Sequence, residues 1–263
     1  MIIVISGASS GIGYALTEYY ARVGATVVAI ARRTAPLISL LTDRPDMAKR
    51  LHLFAADVTD RTRIAEIVAS VERSVGPIDV AIACAGIAEE QNSADLDLSA
   101  LDRALNTNVL GTFNLLVPVA AVMRRRACGQ LVAISSLAAE HSLPHMAAYC
   151  MSKAAVNSGM ESLDLLIGGS GVYVTTVCPS FIATQMTAGR VQPRRCMSLD
   201  RAVSRIVNAI ERRKKVCRFP YSTYLVLCLL RVIPSSLRRS VLKRATNLVV
   251  PMRPNPPLHS GDH

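Results

Sequence analysis

Short apolar runs rich in Val and Ile alternate along the chain with longer segments in which apolar residues recur at helical spacing. The longer segments predict helices at residues 11–23, 60–74, 99–126 and 147–168. The short runs predict strands at residues 2–6, 26–30, 51–56, 79–85, 130–135 and 172–178. This alternation predicts right-handed βαβ units, and therefore an α/β fold: a single Rossmann-like, doubly wound parallel sheet with helices on both faces.

The pattern changes from about Met197. Residues 198–215 predict one more amphipathic helix with Ser198 as its candidate N-cap, and residues 216–220 predict a last strand. The domain prediction has three parts. They are a catalytic domain (1–220) with a substrate lid at about 185–200, an apolar and basic extension (221–250), and a disordered Pro-rich tail (251–263).

The composition supports buried parallel strands. Half of the residues are apolar (51%), only 4% are aromatic and Trp is absent, so the core consists mainly of Val, Ile, Leu and Ala. Seven cysteines form no C-x-x-C pair, and the apolar start lacks the charged segment of a signal peptide. Both observations favour a reducing, cytoplasmic location.

Charge is unevenly distributed. Residues 1–200 carry 17 Lys/Arg and 17 Asp/Glu, whereas residues 201–263 carry 13 Lys/Arg and two acids, so the whole net charge of +11 lies in the last quarter. A basic segment on a neutral body indicates a partner for that segment. Nucleic acid is not expected, because no aromatic stacking platform or binding motif accompanies the charge.

The extension 221–250 combines this charge with apolar segments. Its run 224–230 is stopped by Arg231, far short of the roughly 20 residues that span a bilayer. Residues 237–249 then place apolar side chains on one helical stripe and basic ones beside it. One hypothesis is therefore peripheral contact with an anionic membrane; the alternatives are packing over the substrate cleft and a subunit interface.

A glycine-rich turn follows the first strand and opens the first helix. Gly7, Gly11 and Gly13 allow the backbone to turn tightly and approach a pyrophosphate, which the N–H groups of the helix start favour. The alternative is a turn without a ligand. At the end of the second strand, Arg32 and Arg33 occupy positions where an NAD site usually has an acidic residue. Two guanidinium groups there favour binding of the 2′-phosphate of NADP(H). The alternative is that both arginines are only solvated.

Asp57 ends the third strand. It is predicted to lie near the adenine or, alternatively, to cap the following helix.

With these features the chain resembles the short-chain dehydrogenase/reductase family over about residues 2–190. Five motifs in order carry the resemblance. They are Gly7-x-x-x-Gly11-Ile12-Gly13, Asn108-Val109-Leu110-Gly111, Ser136 thirteen residues before Tyr149, Tyr149-x-x-x-Lys153, and Pro179 to Thr184. Two departures are visible, since Ala83 and Cys84 replace two asparagines of the family and Ser180 replaces a glycine.

The resemblance implies an NADP(H)-dependent oxidoreductase with catalytic residues Asn108, Ser136, Tyr149 and Lys153. It also implies that Lys153 holds the nicotinamide ribose and that Asn108 supports a water relay to Lys153. The predicted cofactor contacts are Gly7, Ser9, Ser10, Gly11, Ile12, Gly13, Arg32, Arg33, Asp57, Val58, Ala85, Gly86, Tyr149, Lys153, Pro179, Ile182 and Thr184.

The side chains suit carbonyl reduction. Tyr149 can donate a proton and Ser136 a hydrogen bond to the carbonyl oxygen, while Lys153, one helical turn away, favours the tyrosinate. Moving a tyrosine pKa from about 10 to about 7 needs roughly 4 kcal/mol, which requires a partly desolvated site and a nearby nicotinamide cation.

The expected substrate is a small carbonyl or alcohol compound, either a lipophilic ketone or a 3-oxoacyl compound. The alternative functions are a non-catalytic NADP(H)-binding regulator or scaffold, and an epimerase or dehydratase on the same fold. A homodimer or homotetramer is expected.

Several nearby side chains receive structural interpretations. Ser135 and Asn106 are displaced from the matching spacings, and both are expected to serve local hydrogen bonding. His141 and His145 are expected to be loop residues, because no third ligand is spaced for a metal, and Cys150 a packing residue. Arg190, Arg194 and Arg195 are expected near the rim of the lid.

Overall fold

A computed structural model describes residues 1–88, 98–141, 143, 145–189, 191–234 and 240–241. Three predictions lie outside these residues: the place of Arg190 in the lid, most of the basic stripe at 237–249, and the tail 251–263.

Seven parallel strands form one sheet in the order β3-β2-β1-β4-β5-β6-β7. The strands are β1 Ile2–Ser6, β2 Thr26–Ala31, β3 Leu51–Ala55, β4 Val80–Ala83, β5 Gly129–Ile134, β6 Val172–Pro179 and β7 Val216–Phe219. The chain starts in the middle of the sheet, builds outward to β3 and then returns beside β1 to continue the other way. This order confirms the predicted doubly wound sheet.

Two helical layers cover the sheet. The helices are α1 Gly11–Arg22, α2 Ala35–Asp43, α3 Arg61–Ser74, α4 Leu98–Ala104, α5 Gly111–Arg126, α6 Ala147–Ile167, α7 Leu199–Glu211 and α8 Tyr221–Val232. Ile3 and Ile5 of β1 pack with α1, α2 and α7, whereas Val4 packs with α3, α5 and α6. Because both faces of the strands are buried, they appear in the sequence as continuous apolar runs.

The structure departs from the predicted helices at two places. Helix α2 was not predicted, because its nine residues bury only Leu37 and Leu40. The helix predicted over 99–126 is interrupted by a π-helical segment, Leu105–Leu110, that carries the buried Asn108. Such segments contain an extra residue in one helical turn and are frequent at functional sites. The predicted last helix is confirmed as α7, although Ser198 at its N-cap makes no side-chain capping bond.

Among the described residues, one stretch is long and apolar enough to cross a membrane by length and composition alone: Leu98–Arg126. Its inner side packs against the sheet through Leu115 and Val119, as the core helix of a folded domain does. Residues Tyr221–Leu230 form a shorter apolar helix. Neither observation requires a membrane span.

Candidate active site

A cleft of about 400 Å³ opens at the carboxyl ends of strands β1 to β6. The chain order reverses between β1 and β4, which is where open parallel sheets place their ligands. Every predicted cofactor contact lines this cleft, from Gly7 in the first turn to Thr184 after β6. Ser136 lines it as well, whereas Asn108 is fully buried behind it.

The glycine turn is closed by direct backbone contacts. Gly7 has φ of +68°, and a Cβ atom there would lie 2.6 Å from the backbone nitrogen of Ala85. A Cβ on Gly13 would lie 2.3 Å from the carbonyl oxygen of Gly7. Helix α1 begins directly after this turn without an acidic residue in its first turn, and Ser10 makes no capping bond. The helix start therefore presents free N–H groups and favours an anion.

Arg32 and Asp57 meet at the rim of the cleft. The Arg32 Nη1 atom lies 3.7 Å from the Asp57 Oδ2 atom, and the Arg32 side chain is 70% exposed. Asp57 also accepts hydrogen bonds of 2.9 Å from the backbone N–H and the hydroxyl of Thr59. Asp60, not Asp57, caps helix α3. Because an exposed ion pair contributes little stability, Arg32 stays available to a competing phosphate.

Lys153 lies on α6 with its charged end buried. Its ammonium donates a 2.9 Å hydrogen bond to the carbonyl oxygen of Ile134, and the residue is 5% exposed. The Nζ atom lies 5.8 Å from the centroid of the Tyr149 ring, one helical turn earlier. Burial lowers the pKa of Lys153 to about 8. Lys153 therefore remains mostly cationic at neutral pH.

Burial dominates at Tyr149 and raises its pKa to about 12, although a hydrogen bond from Ser136 acts in the opposite direction. The folded chain by itself therefore keeps the phenol protonated at neutral pH. Lowering the pKa of Tyr149 towards 7 would need a further positive charge close to the ring, such as the nicotinamide cation.

Ser136 is held where β5 gives way to a short helical turn, Leu137–Ala139. Its hydroxyl accepts a 3.1 Å hydrogen bond from the Ala138 N–H and lies 3.5 Å from the Pro179 carbonyl oxygen. Both bonds fix the hydroxyl close to the Tyr149 phenol. The site thus holds two hydroxyl groups that can donate to one oxygen atom.

Asn108 supports the site from behind. Its amide donates to the Ile87 carbonyl (2.9 Å) and accepts from the Ile87 N–H (2.7 Å), so it bonds to both backbone groups of that residue. It also donates to the Ser152 hydroxyl at 2.8 Å, which in turn donates to the Tyr149 carbonyl. Asn108 therefore links the turn after β4 to the helix that carries Tyr149 and Lys153.

The neighbouring polar residues have structural roles. Ser135 donates a 3.3 Å hydrogen bond to the carbonyl oxygen of Lys153, 18 residues later, so it links the end of β5 to α6 and does not make the expected local bond. Asn106 is exposed, and Cys150 is buried at 6% exposure, as expected of a packing residue. Among the described residues, no three His, Cys, Asp or Glu side chains lie close enough together to hold a metal ion.

The two departures from the family motifs leave the backbone supported. The Cys84 N–H, where the family has an asparagine, bonds to the hydroxyl of Ser6 at 3.3 Å. Burial raises the pKa of the Cys84 thiol to about 12, so it is neutral in the cleft. The Ser180 N–H donates a 2.8 Å hydrogen bond to the carbonyl oxygen of Phe219 on β7.

The cleft has two ends of different construction. The glycine end consists of the residues after β1, β2 and β3 and of the turn after β4. The outer end is formed by lining residues within 137–149, 180–191 and 223–227. Met186 and Val191 belong to the predicted lid, whereas the sequence did not single out Leu143, Met146, Phe181, Thr223 and Leu227. The lining of the outer end is largely apolar.

Helix α8 closes the outer end. The side chains of Thr223 and Leu227 line the cleft, and the His141 ring bonds to the carbonyl oxygen of Leu227. Arg218, just before α8, pairs with Glu140 at 2.9 Å. Of the alternatives considered for the extension, packing over the cleft is therefore realised by α8. The apolar run at 224–230 was its sequence signal.

Residues 185–200, which were predicted to form a lid, are held near both of their ends. Thr187 donates to the carbonyl oxygen of Ile182 at 2.6 Å, and Ile182 pairs with Met197 in a β-bridge. Arg194 and Arg195 are exposed, and Arg194 bonds to the side chain of Gln192. Gln185, Met186, Thr187 and Val191 face the cleft, so this segment forms one side of the outer end.

Comparisons with known proteins agree with this geometry. The family model described as short chain dehydrogenase matches residues 1–195. An uncharacterized oxidoreductase of Myxococcus xanthus is 31% identical over 242 residues, covering 92% of this chain and 96% of that protein. The 3-oxoacyl-[acyl-carrier-protein] reductase FabG of Thermotoga maritima is 32% identical over 186 residues, covering 71% of this chain and 76% of that protein.

The chain also matches part of a longer protein. It is 34% identical over 185 residues to the glycine betaine reductase ATRR of Emericella nidulans, of which it spans 15%. Among solved structures, a short chain dehydrogenase from Burkholderia cenocepacia in complex with NADP has a TM-score of 0.78 at 22% identity, covering 93% of this chain and 96% of that one. This likeness supports the fold.

Proposed function

Since the chain belongs to the short-chain dehydrogenase/reductase family, we propose that it is an NADPH-dependent oxidoreductase that reduces a carbonyl group or oxidises the matching alcohol. The observation that carries this proposal is the convergence of Tyr149, Lys153 and Ser136 in the cleft that also contains the glycine turn. A regulator or scaffold that only binds the nucleotide is not favoured, because it has no need of this reactive set.

The residues of the glycine end fit NADP(H). Gly7 and Gly13 leave room for close approach to a pyrophosphate, and the start of α1 favours its charge. Arg32 and Arg33 at the rim suit a 2′-phosphate, and Ile182 and Thr184 suit the nicotinamide end. The bound NADP named for the Burkholderia cenocepacia structure supports this choice. When bound, the dinucleotide supplies the hydride.

The chain's own residues supply the proton and the charge stabilisation. Tyr149, protonated at neutral pH, donates its proton to the oxygen of the reduced carbonyl, while Ser136 donates a hydrogen bond to the same oxygen. The cationic Lys153 stabilises the tyrosinate that remains. Asn108 is a positioning residue, since it holds α6 against the turn after β4.

We assign the outer end of the cleft to a lipophilic ketone or a 3-oxoacyl compound. Its apolar lining includes Leu143, Met146, Phe181 and Leu227, which suits an aliphatic chain. The similarity to a 3-oxoacyl-[acyl-carrier-protein] reductase supports the second of these substrate classes.

The reaction is tested by following NADPH oxidation over ketones and 3-oxoacyl thioesters. We expect Tyr149→Phe to lower kcat by about 100-fold to 10,000-fold, because it removes the proton donor. Tyr173→Phe is the matched control, since Tyr173 lies on β6 beneath Arg213 and outside the cleft. Undiminished turnover by Tyr149→Phe would refute the proposed mechanism.

The pH profile gives a second test of the same site. The Lys153 cation is present below its pKa of about 8 and is lost above it, so the reduction rate should fall as pH rises through this value. A rate that rises across this range would contradict the role of Lys153.

We also infer a homodimer or homotetramer in the cytoplasm. Large apolar side chains are exposed on helices α5 and α6, which cover the same face of the sheet: Leu110 beside α5, Val117, Met151, Leu165 and Leu166. Such a surface suits a second copy of the chain. All seven cysteines are free thiols, which suits a reducing compartment.

A further inference from the structure

Helix α8 has two unlike sides. Thr223 and Leu227 on the inner side line the cleft. The opposite side carries the outer row, which we define as Tyr221, Leu225, Val226, Leu229 and Val232, exposed by 44% to 82%. Spacings of three and four residues place the outer row along one side of the helix. A short helix that covers a cleft thus presents a second, solvent-facing apolar surface.

The sequence from the end of α8 to Arg253 carries charge of one sign. From Arg231 to Arg253 the sequence contains Arg231, Arg238, Arg239, Lys243, Arg244 and Arg253 and no acidic residue. An apolar helical surface followed by clustered basic residues complements an anionic lipid surface, in which side chains enter the acyl boundary and cations meet the headgroups. Twelve residues extend about 18 Å, which is too short for a span and sufficient for lying in the interface.

The exposed apolar residues of α6 provide a contrast. Leu165 and Leu166 are 80% and 75% exposed, but their helix carries Glu161 and Asp164, and its single basic residue, Lys153, is buried. Helix α6 therefore supplies no excess positive charge for an anionic membrane, and the exposed Lys215 beside it is paired with Asp164 at 2.8 Å. The two apolar surfaces therefore suit different partners.

We propose that the outer row of α8 rests on an anionic bilayer, to which the net positive charge of the sequence after α8 adds electrostatic attraction. Because the inner side of α8 closes the outer end of the cleft, this docking places the substrate entrance next to the lipid. The docking itself is independent of the reaction. The further step, entry of an apolar carbonyl compound from the bilayer, rests on the proposed function.

Vesicle flotation of the full chain tests the docking. We expect the protein to float with vesicles of phosphatidylcholine and phosphatidylserine, to bind much less to phosphatidylcholine alone, and to dissociate at high salt. Val226→Gln combined with Leu229→Gln should weaken partitioning at least about tenfold, because two apolar side chains no longer enter the lipid. Val23→Gln combined with Ile38→Gln is the control, because these exposed apolar residues lie at the end of α1 and on α2, and it should partition like the wild type.

Three results would overturn the proposal. One is absence of wild-type binding to the anionic vesicles, and another is equal partitioning of the two double variants. The third is an α8 variant that binds vesicles like the wild type but has a smaller mass than the wild type in light scattering. That result would show that the outer row contacts a second copy of the chain. NADPH oxidation with a water-soluble ketone is measured in parallel. If the wild type does not oxidise NADPH with this ketone, the proposed reaction is contradicted, but the conclusion from vesicle binding is unaffected.

Discussion

The two ends of the cleft are built in opposite ways. At the glycine end, backbone atoms at the carboxyl ends of neighbouring strands lie so close together that a single Cβ on Gly7 would meet the backbone of Ala85. At the outer end, side chains from three separate segments meet, and long-range contacts such as Arg218 with Glu140 hold them. The glycine end is thus fixed by the sheet, whereas the outer end depends on tertiary packing.

This difference indicates which end of the cleft tolerates amino-acid substitution. At the glycine end, backbone atoms approach one another so closely that a Cβ atom added at Gly7 or Gly13 would collide with them. At the outer end, exchanging Met186 or Leu227 changes the shape of the wall without touching a strand. Substitution should therefore be costly at the first end and tolerated at the second.

The largest effect is expected from Gly7→Ala. The new Cβ would stand 2.6 Å from the Ala85 nitrogen at a φ of +68°, so both backbone strain and a collision arise. We expect loss of NADPH binding and a lower Tm. Gly169→Ala is the control, because Gly169 has φ of +80° but no atom within 4 Å of a Cβ, and it should cost only about 1–3 kcal/mol of strain. Equal losses of Tm in both variants, measured by thermal unfolding, would contradict the close-approach argument.

An intermediate effect is expected from Arg32→Asp. Reversal of the charge next to Asp57 should raise the KM for NADPH about tenfold or more and leave the KM for NADH nearly unchanged. Arg212→Asp, at an exposed arginine after α7, is the control. Parallel weakening of both cofactors in steady-state kinetics would argue against a 2′-phosphate contact.

The smallest effect is expected from Leu227→Ala at the outer end. The shortened side chain should raise the KM for long-chain carbonyl substrates a few-fold and leave the KM for NADPH unchanged, because the glycine end is not touched. Leu225→Ala, on the opposite side of α8, serves as the control. A change in the KM for NADPH would show that the two ends are not independent.

The same contrast explains what could be predicted from the sequence. The strands were predictable because burial on both faces makes their apolar runs continuous. The glycine turn and the Tyr149–Lys153 pair were predictable because each is a local pattern placed by one strand or helix.

The features that sequence reasoning missed depend on distant residues or on small packing differences. The contact of His141 with Leu227 joins residues 86 positions apart, so no local pattern announces it. The π-helical segment around Asn108 differs from an α-helix by its extra residue, which leaves the apolar spacing almost unchanged. The direction of the Tyr149 pKa shift depends on burial, which the Tyr-x-x-x-Lys spacing does not report.

The ion pair between Glu140 and Arg218 also affects the order in which the two ends of the cleft are completed during synthesis. Ser136, Tyr149 and Lys153 leave the ribosome well before β7, and the segment that follows Ser136 acquires its partner at Arg218 only when β7 has emerged. A nascent chain that has reached Thr184 contains the whole glycine end but lacks α8. Vectorial translation therefore completes the nucleotide-facing half of the cleft first and the half facing the substrate last.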